Sequence, residues 1–369
     1  MSWRGWTQRE LAAIRDRDQW RAPRDLDAAG PVGKLAPDGR RVVSFASNDY
    51  LGLTQHPAVI AAAHSALDRW GAGSGSARLI VGSRPIHSEL EGELATWKGS
   101  ARAALFPTGF AANLGVLSTF GTADTLIVSD ELNHASIIDG ARLSRAEVAV
   151  YPHRDISWLD RTLAEHSGRR ALVVSDSVFS MDGDVAPVDD LIEVCTRRGA
   201  LLVLDEAHAV LGPDPDCRDA DVLRIGTLSK YLGSLGGFVV GTPDFIDLLV
   251  NRARSYIFTT ASSPADAAAA LAAVRIVRSD EGERLRERLR AHVERIRPGH
   301  PSPIIPVMFG DEQRTLAAAA ELLERGLLVP AIRPPTVAPG TARLRVALSA
   351  AHSDEQIDTL ARALDELVR

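Results

Sequence analysis

The sequence predicts an α/β protein in which a large domain built on a mostly parallel sheet precedes a smaller α+β domain. Three observations carry this expectation. Between Arg41 and Gly241, short β-branched runs alternate with helical stretches, the pattern of strands joined by crossover helices. Several of those runs, including 171–175 and 201–205, are apolar on both faces, as strands covered by helices on each side must be. Near Pro264 the texture changes to Ala-rich and Arg/Glu-rich helical segments followed by short strands. The chain is therefore divided into an N-terminal segment, 1–40, packing with the small domain, a large domain, 41–263, and a small C-terminal domain, 264–369.

Taken in order, 7–20 is rich in Arg, Asp and Ala and reads as a helix, after which Pro23, Gly30, Pro31 and Gly33 punctuate a loop. Strands are expected at 42–45, 103–106, 125–129, 148–151, 171–175, 201–205, 223–226 and 238–241. In such a sheet, ligands bind beyond the carboxyl ends of the strands. The small domain should contain helical segments over 265–297, strands at 303–309, 327–331 and 342–348, a helix at 312–325, and a last helix from Asp354.

Bulk properties exclude several functions. A formal net charge of −6 gives no reason to invoke nucleic acid or an anionic membrane. Cys195 and Cys217 are the two cysteines, with no CxxC pair, so neither a disulfide framework nor a thiolate metal site is expected. No hydrophobic leader and no apolar run of membrane-spanning length is present, which makes the cytosol the default location.

The most telling residue is a lysine. Of 42 Lys+Arg, three are lysines: Lys34, Lys98 and Lys230. An ε-amine can lose its proton and form a Schiff base with a carbonyl, whereas a guanidinium stays charged. Lys230 lies between small residues, in Gly226-Thr227-Leu228-Ser229-Lys230 and the Gly-rich run that follows. Upstream, the apolar strand 201–205 ends in Asp205-Glu206-Ala207-His208. That box also occurs in nucleotide hydrolases, but they need a phosphate loop ending Gly-Lys-Ser/Thr. Here the one lysine that follows a glycine, Lys34, is succeeded by Leu35. A lysine for the Schiff base and a carboxylate for the pyridine nitrogen instead suit pyridoxal phosphate, with Ala207 small enough for a flat ring.

A phosphate cradle is available at Gly109 and Phe110, where a strand turns into a helix and free N–H groups face outward, with Thr227 able to add a hydroxyl. His134, just past an apolar strand, can stack on a ring. Arg333, Arg343 and Arg345 are candidates to clamp a substrate carboxylate, and spacing does not choose among them.

Together these segments, from Ser47-Asn48-Asp49-Tyr50 through Asp176-Ser177-Val178-Phe179-Ser180 to the region 350–352, resemble the α-oxoamine synthases. The resemblance implies the type I pyridoxal-phosphate fold, like that of aspartate aminotransferase. It implies that Lys230 forms the Schiff base, Asp205 meets the pyridine nitrogen, His208 the ring hydroxyl, and His134 stacks. It also implies that Gly109, Phe110 and Thr227 hold the phosphate and that Ser180 lies beside the cofactor. Arg345 with Thr336 would take the amino-acid carboxylate, and Arg21 the acyl donor. The segment Ala331-Ile332-Arg333-Pro334-Pro335-Thr336-Val337 favours the oxononanoate-forming branch, which condenses L-alanine with pimeloyl-CoA or pimeloyl-acyl-carrier-protein as a homodimer with the active site at the subunit interface. Alternatives are a sister synthase using glycine or another acyl donor, and a non-catalytic subunit of a heteromeric synthase. The chain departs from the family pattern in a short segment after His208, in Gly73-Ser74-Gly75-Ser76-Ala77-Arg78, and in an abbreviated stretch between Arg290 and Pro303.

Overall fold

The apolar runs pair into a seven-stranded sheet ordered Arg102–Phe106, Gly237–Gly241, Val222–Thr227, Leu201–Asp205, Arg170–Asp176, Thr125–Asp130 and Glu147–Tyr151. The structure, a computed structural model, describes residues 2–17, 19–217 and 220–368. Gly237–Gly241 is antiparallel to both neighbours, and the ladders from Val222–Thr227 onward are parallel. Two cores explain why the central strands carry no polar face. Leu172, Val174 and Val203 enter one, with Phe106, Val116 and Ile225. Val173, Leu202 and Leu204 enter the other, with Leu126, Val128 and Leu191. Alternation along each strand thus feeds opposite sides of a sheet buried on both.

The chain divides into two units, one of residues 47–305 and 347–362, the other of 1–46, 306–346 and 363–369. Residues 264–305 belong to the unit that holds the large sheet, although their composition had grouped them with the C-terminal domain. The helix Pro264–Val277 is the reason: it buries Ala267, Ala268, Ala269 and Ala270 and packs on the helices Pro57–Trp70 and Pro85–Trp97. Its small side chains allow close helix approach.

In the other unit, Leu26–Ala28, Val32–Leu35 and Arg40–Ser44 form an antiparallel run, which Leu327–Leu328 joins in parallel. The expected strand 42–45 is therefore not part of the large sheet. The expected strand 327–331 is likewise two pieces: Leu328 pairs with Ser44, whereas Ala331 pairs with Leu344 in a separate three-stranded sheet. Pro330 lies between them and has no N–H to carry one ladder into the next. The N-terminal helix is Trp3–Asp16, started by Ser2, whose Oγ accepts from Gly5 N at 3.1 Å. Of the expected helix 7–20, residue 18 lies outside the described residues.

Close packing where the large sheet changes direction gives a test. A Cβ on Gly226 would lie 2.2 Å from Cζ of buried Phe238 on the adjacent strand. Gly226→Ala is expected to destabilise the protein by about 1–3 kcal/mol, measured by denaturant unfolding.

Candidate active site

At the carboxyl ends of these strands lies a cavity of about 190 Å³, which brings together Gly109, Phe110, His134, Ser180, Asp205, Ala207, His208, Thr227 and Lys230. Residues separated by 121 positions in sequence thus meet because parallel strands deliver their ends to one edge. Arg21, Thr336 and Arg345 belong to the other unit. There Arg21 Nη2 donates to Thr336 Oγ1 at 3.4 Å, and Arg343 and Arg345 are both buried on the strand Ala342–Ala347.

Asp205 ends its strand and is buried. Its Oδ2 accepts from Asn113 Nδ2 at 2.7 Å, and its Oδ1 from the Ala207 N–H at 2.9 Å. Asp205 and Ala207 share the cavity because the chain turns after the strand ends at Asp205. Asn113 Nδ2 also donates to Ser136 Oγ at 2.9 Å, and Ser136 Oγ lies 2.7 Å from His134 Nδ1. His134 caps the helix Ala135–Leu143, its Nδ1 accepting from Ser136 N at 3.2 Å. An Nδ1 that accepts leaves the imidazole proton on Nε2. Burial lowers the His134 pKa, Asp205 opposes that shift, and Lys230 adds to it. The ring is therefore neutral and flat, and Phe110 stands edge-on to it at 6.5 Å.

His208 Nδ1 is 2.7 Å from the hydroxyl of fully buried Tyr50, which orients the imidazole. Lys230 follows the strand Val222–Thr227 by three residues. The turn after it needs Gly233, at φ 61°, where a Cβ would strike the Leu53 and Thr54 backbone at 2.6 Å. The helix Gly109–Phe120 opens at the cavity, capped by Thr108 Oγ1, which accepts from Ala111 N at 3.0 Å. Its first N–H groups have no intrahelical acceptor and carry the positive end of the helix dipole. Gly237 runs so close beneath that a Cβ there would lie 2.5 Å from Gly109 N.

Asn113, Ser136, Tyr50 and Asp176 were not singled out from the sequence as site residues, although Tyr50 and Asp176 fall in segments that were. Asn113 is one helical turn beyond Gly109, a spacing that could have shown it facing the same side. Behind the cavity, Glu206 points away from it into a buried cluster. Lys98 Nζ lies 2.8 Å from Glu206 Oε2, Arg224 Nε 2.5 Å from Oε1, and Arg224 Nη2 2.6 Å from Asp214. Burial pushes the Lys98 pKa down, but Glu206 and Tyr231 together outweigh it and the net shift is upward.

The turn bearing Ser180 is held by a second cluster. His153 Nδ1 lies 3.0 Å from Asp130 Oδ1, and Nε2 2.7 Å from Asp184 Oδ2, with the ring edge-on to Phe179. Burial lowers the His153 pKa, but the hydrogen bonds to both carboxylates reverse this and raise it to about 9.

Residues 40–364 match the family Aminotransferase class I and II. An 8-amino-7-oxononanoate synthase of Anaeromyxobacter dehalogenans is 47% identical over 97% of this chain and 94% of its own length. One from a Methylobacterium species is 47% identical over 93% and 94%. Among solved structures, serine palmitoyltransferase of S. paucimobilis matches with a TM-score of 0.90 at 29% identity, covering 98% of this chain and 96% of that one. The 8-amino-7-oxononanoate synthase of Francisella tularensis matches with a TM-score of 0.74 at 25% identity, covering 89% and 98%.

The His153 cluster predicts a pH dependence. Its folded pKa, about 9, exceeds the ordinary value of 6.5, so its stabilisation is full below 6.5 and is lost as pH rises through about 9. In His153→Gln, melting temperature should fall less steeply than in the wild type over that interval, as read by calorimetry across pH.

Proposed function

The chain belongs to the aminotransferase class I and II family, in its α-oxoamine synthase branch, and we propose that it condenses L-alanine with a pimeloyl thioester of coenzyme A or acyl-carrier protein. The products are 8-amino-7-oxononanoate, CO2 and free thiol, a step of biotin formation. The observation that supports this reading is the convergence of Lys230, Asp205 and His134 with the Gly109 helix terminus on one cavity.

These residues fit pyridoxal phosphate. A primary amine, a buried carboxylate and a neutral imidazole line one wall each, and the backbone at Gly109 is open to an anion because Gly237 brings no side chain there. Lys230 would hold the carbonyl carbon, Asp205 the pyridine nitrogen, His208 the ring hydroxyl and His134 the ring face. Gly109, Phe110 and Thr227 would hold the phosphate, with Ser180 alongside. When bound, this group supplies an electron sink for negative charge at the amino-acid Cα.

The chain's own residues handle protons and position. The Lys230 amine takes the proton from Cα of alanine, as general base. Asp205, fixed by Asn113 and the Ala207 N–H, keeps a proton on a nitrogen facing it. In the net reaction the alanine Cα bonds to the thioester carbonyl carbon, the thiol leaves, and the alanine carboxyl departs as CO2. By family likeness, Arg345 and Thr336 take the alanine carboxylate and Arg21 the acyl donor. The reading includes a cytosolic homodimer with its active site at the interface. Leu79, Ile80 and Val81, three successive exposed apolar residues, offer it a surface, and sedimentation tests the assembly. Among the described residues, no helix is long and apolar enough to cross a membrane.

The deciding experiment supplies pyridoxal phosphate, pimeloyl thioester and labelled alanine or glycine, and measures released CO2. Alanine should be preferred, and a preference for glycine would overturn the assignment. Lys230→Ala should lower turnover by on the order of 10²–10⁴-fold, and wild-type turnover in that variant would refute its role as base. Asp205→Asn should likewise lose most activity, read in the same assay.

A further inference from the structure

One buried acid in the cavity wall is not used by the chemistry above. Asp176 ends the strand Arg170–Asp176, lines the cavity and is 3% exposed. Neither of its carboxylate oxygens has a hydrogen-bond partner among the described residues. It is in register with Asp205 on the adjacent parallel strand, so the two side chains leave the sheet on the same face about 5 Å apart. Two carboxylates at that separation in a buried site do not both ionise readily.

The surroundings decide which of the two keeps its charge. Asp205 accepts from Asn113 Nδ2 and the Ala207 N–H, donors that favour a carboxylate. Asp176 has no such donor within hydrogen-bonding geometry, and the nearby His134 backbone N–H opposes the rise in its pKa least of the groups around it. Burial raises the Asp176 pKa well above the usual carboxylate range, and Asp205 and Asp130 add to the rise. Lys230, the cation facing it, opposes the rise without cancelling it.

We propose that Asp176 stands in the cavity as a neutral carboxylic acid, whose hydroxyl donates a hydrogen bond to an acceptor oxygen of bound pyridoxal phosphate. The unpartnered oxygens are the main support, because a buried polar group with no partner in the protein is left for a ligand to satisfy. The proposal rests on the cofactor reading above and adds a donor to it.

The test has an arm without the cofactor. In the apoprotein at neutral pH, the infrared spectrum should show a protonated-carboxyl C=O band that Asp176→Asn removes. A wild-type spectrum without such a band overturns the proposal even if the variant does not fold. The second arm follows the visible absorption of added pyridoxal phosphate across pH. Asp176→Asn, a neutral donor of the same size, should leave the titration midpoint unmoved, whereas Asp176→Ala should bind the cofactor about tenfold more weakly. A fall of the midpoint by about one pH unit or more in Asp176→Asn means an ionised Asp176 and overturns the proposal. Unchanged cofactor affinity in Asp176→Ala overturns it too. If the wild type itself develops no visible absorption, the cofactor reading fails, and the infrared result still reports the state of Asp176.

Discussion

An anion buried at a strand end is the constraint on which the rest of the site depends. Desolvating the Asp205 carboxylate costs several kcal/mol unless nearby groups compensate. Each group that compensates also locates another part of the cavity. Asn113 sets the rotation of the helix that opens at Gly109, and through Ser136 it holds His134 in one tautomer. Ser177 donates from both N and Oγ to the Asp205 carbonyl, which ties down the start of the turn carrying Ser180. Satisfying one carboxylate and its backbone thus places three cavity walls.

The neighbouring acid does a different job with the same chemistry. Glu206, one residue on, points to the other side and meets Lys98 and Arg224. Scarcity of lysine therefore marks more than one kind of site: Lys230 faces a cavity, whereas Lys98 is committed to an ion pair with 6% of its side chain exposed. Breaking one member of such a buried cluster leaves the other charges uncompensated, so it braces the strands whose ends form the cavity.

What the sequence made legible follows from the range of the signals it carries. Strands such as 171–175 and 201–205 are legible because apolar runs report local burial, and the cavity residues are legible because each follows such a strand. The register of Asp176 against Asp205 is not legible, since no local pattern states which strands are neighbours. The break at Pro330 was visible as a residue, but the change of sheet that it permits is a tertiary event. Asn113 is not legible for a related reason: a polar residue on an apolar helix acquires meaning only once its hydrogen-bond acceptor has been brought to it from 92 residues away.

Beside the Thr227 hydroxyl, the end of the cavity proposed to take an anion is main chain, at Gly109 and in the close passage of Gly237 beneath it. Truncating the side chains around such a surface leaves it intact, because the amides stay where they are. Its own donors need no side-chain rotamer to be kept. Its weakness is bulk: a single methyl group at residue 237 would intrude on the amide itself. Selection acting on Gly237 and Gly109 would therefore be felt as a ban on volume, not as a demand for any functional group.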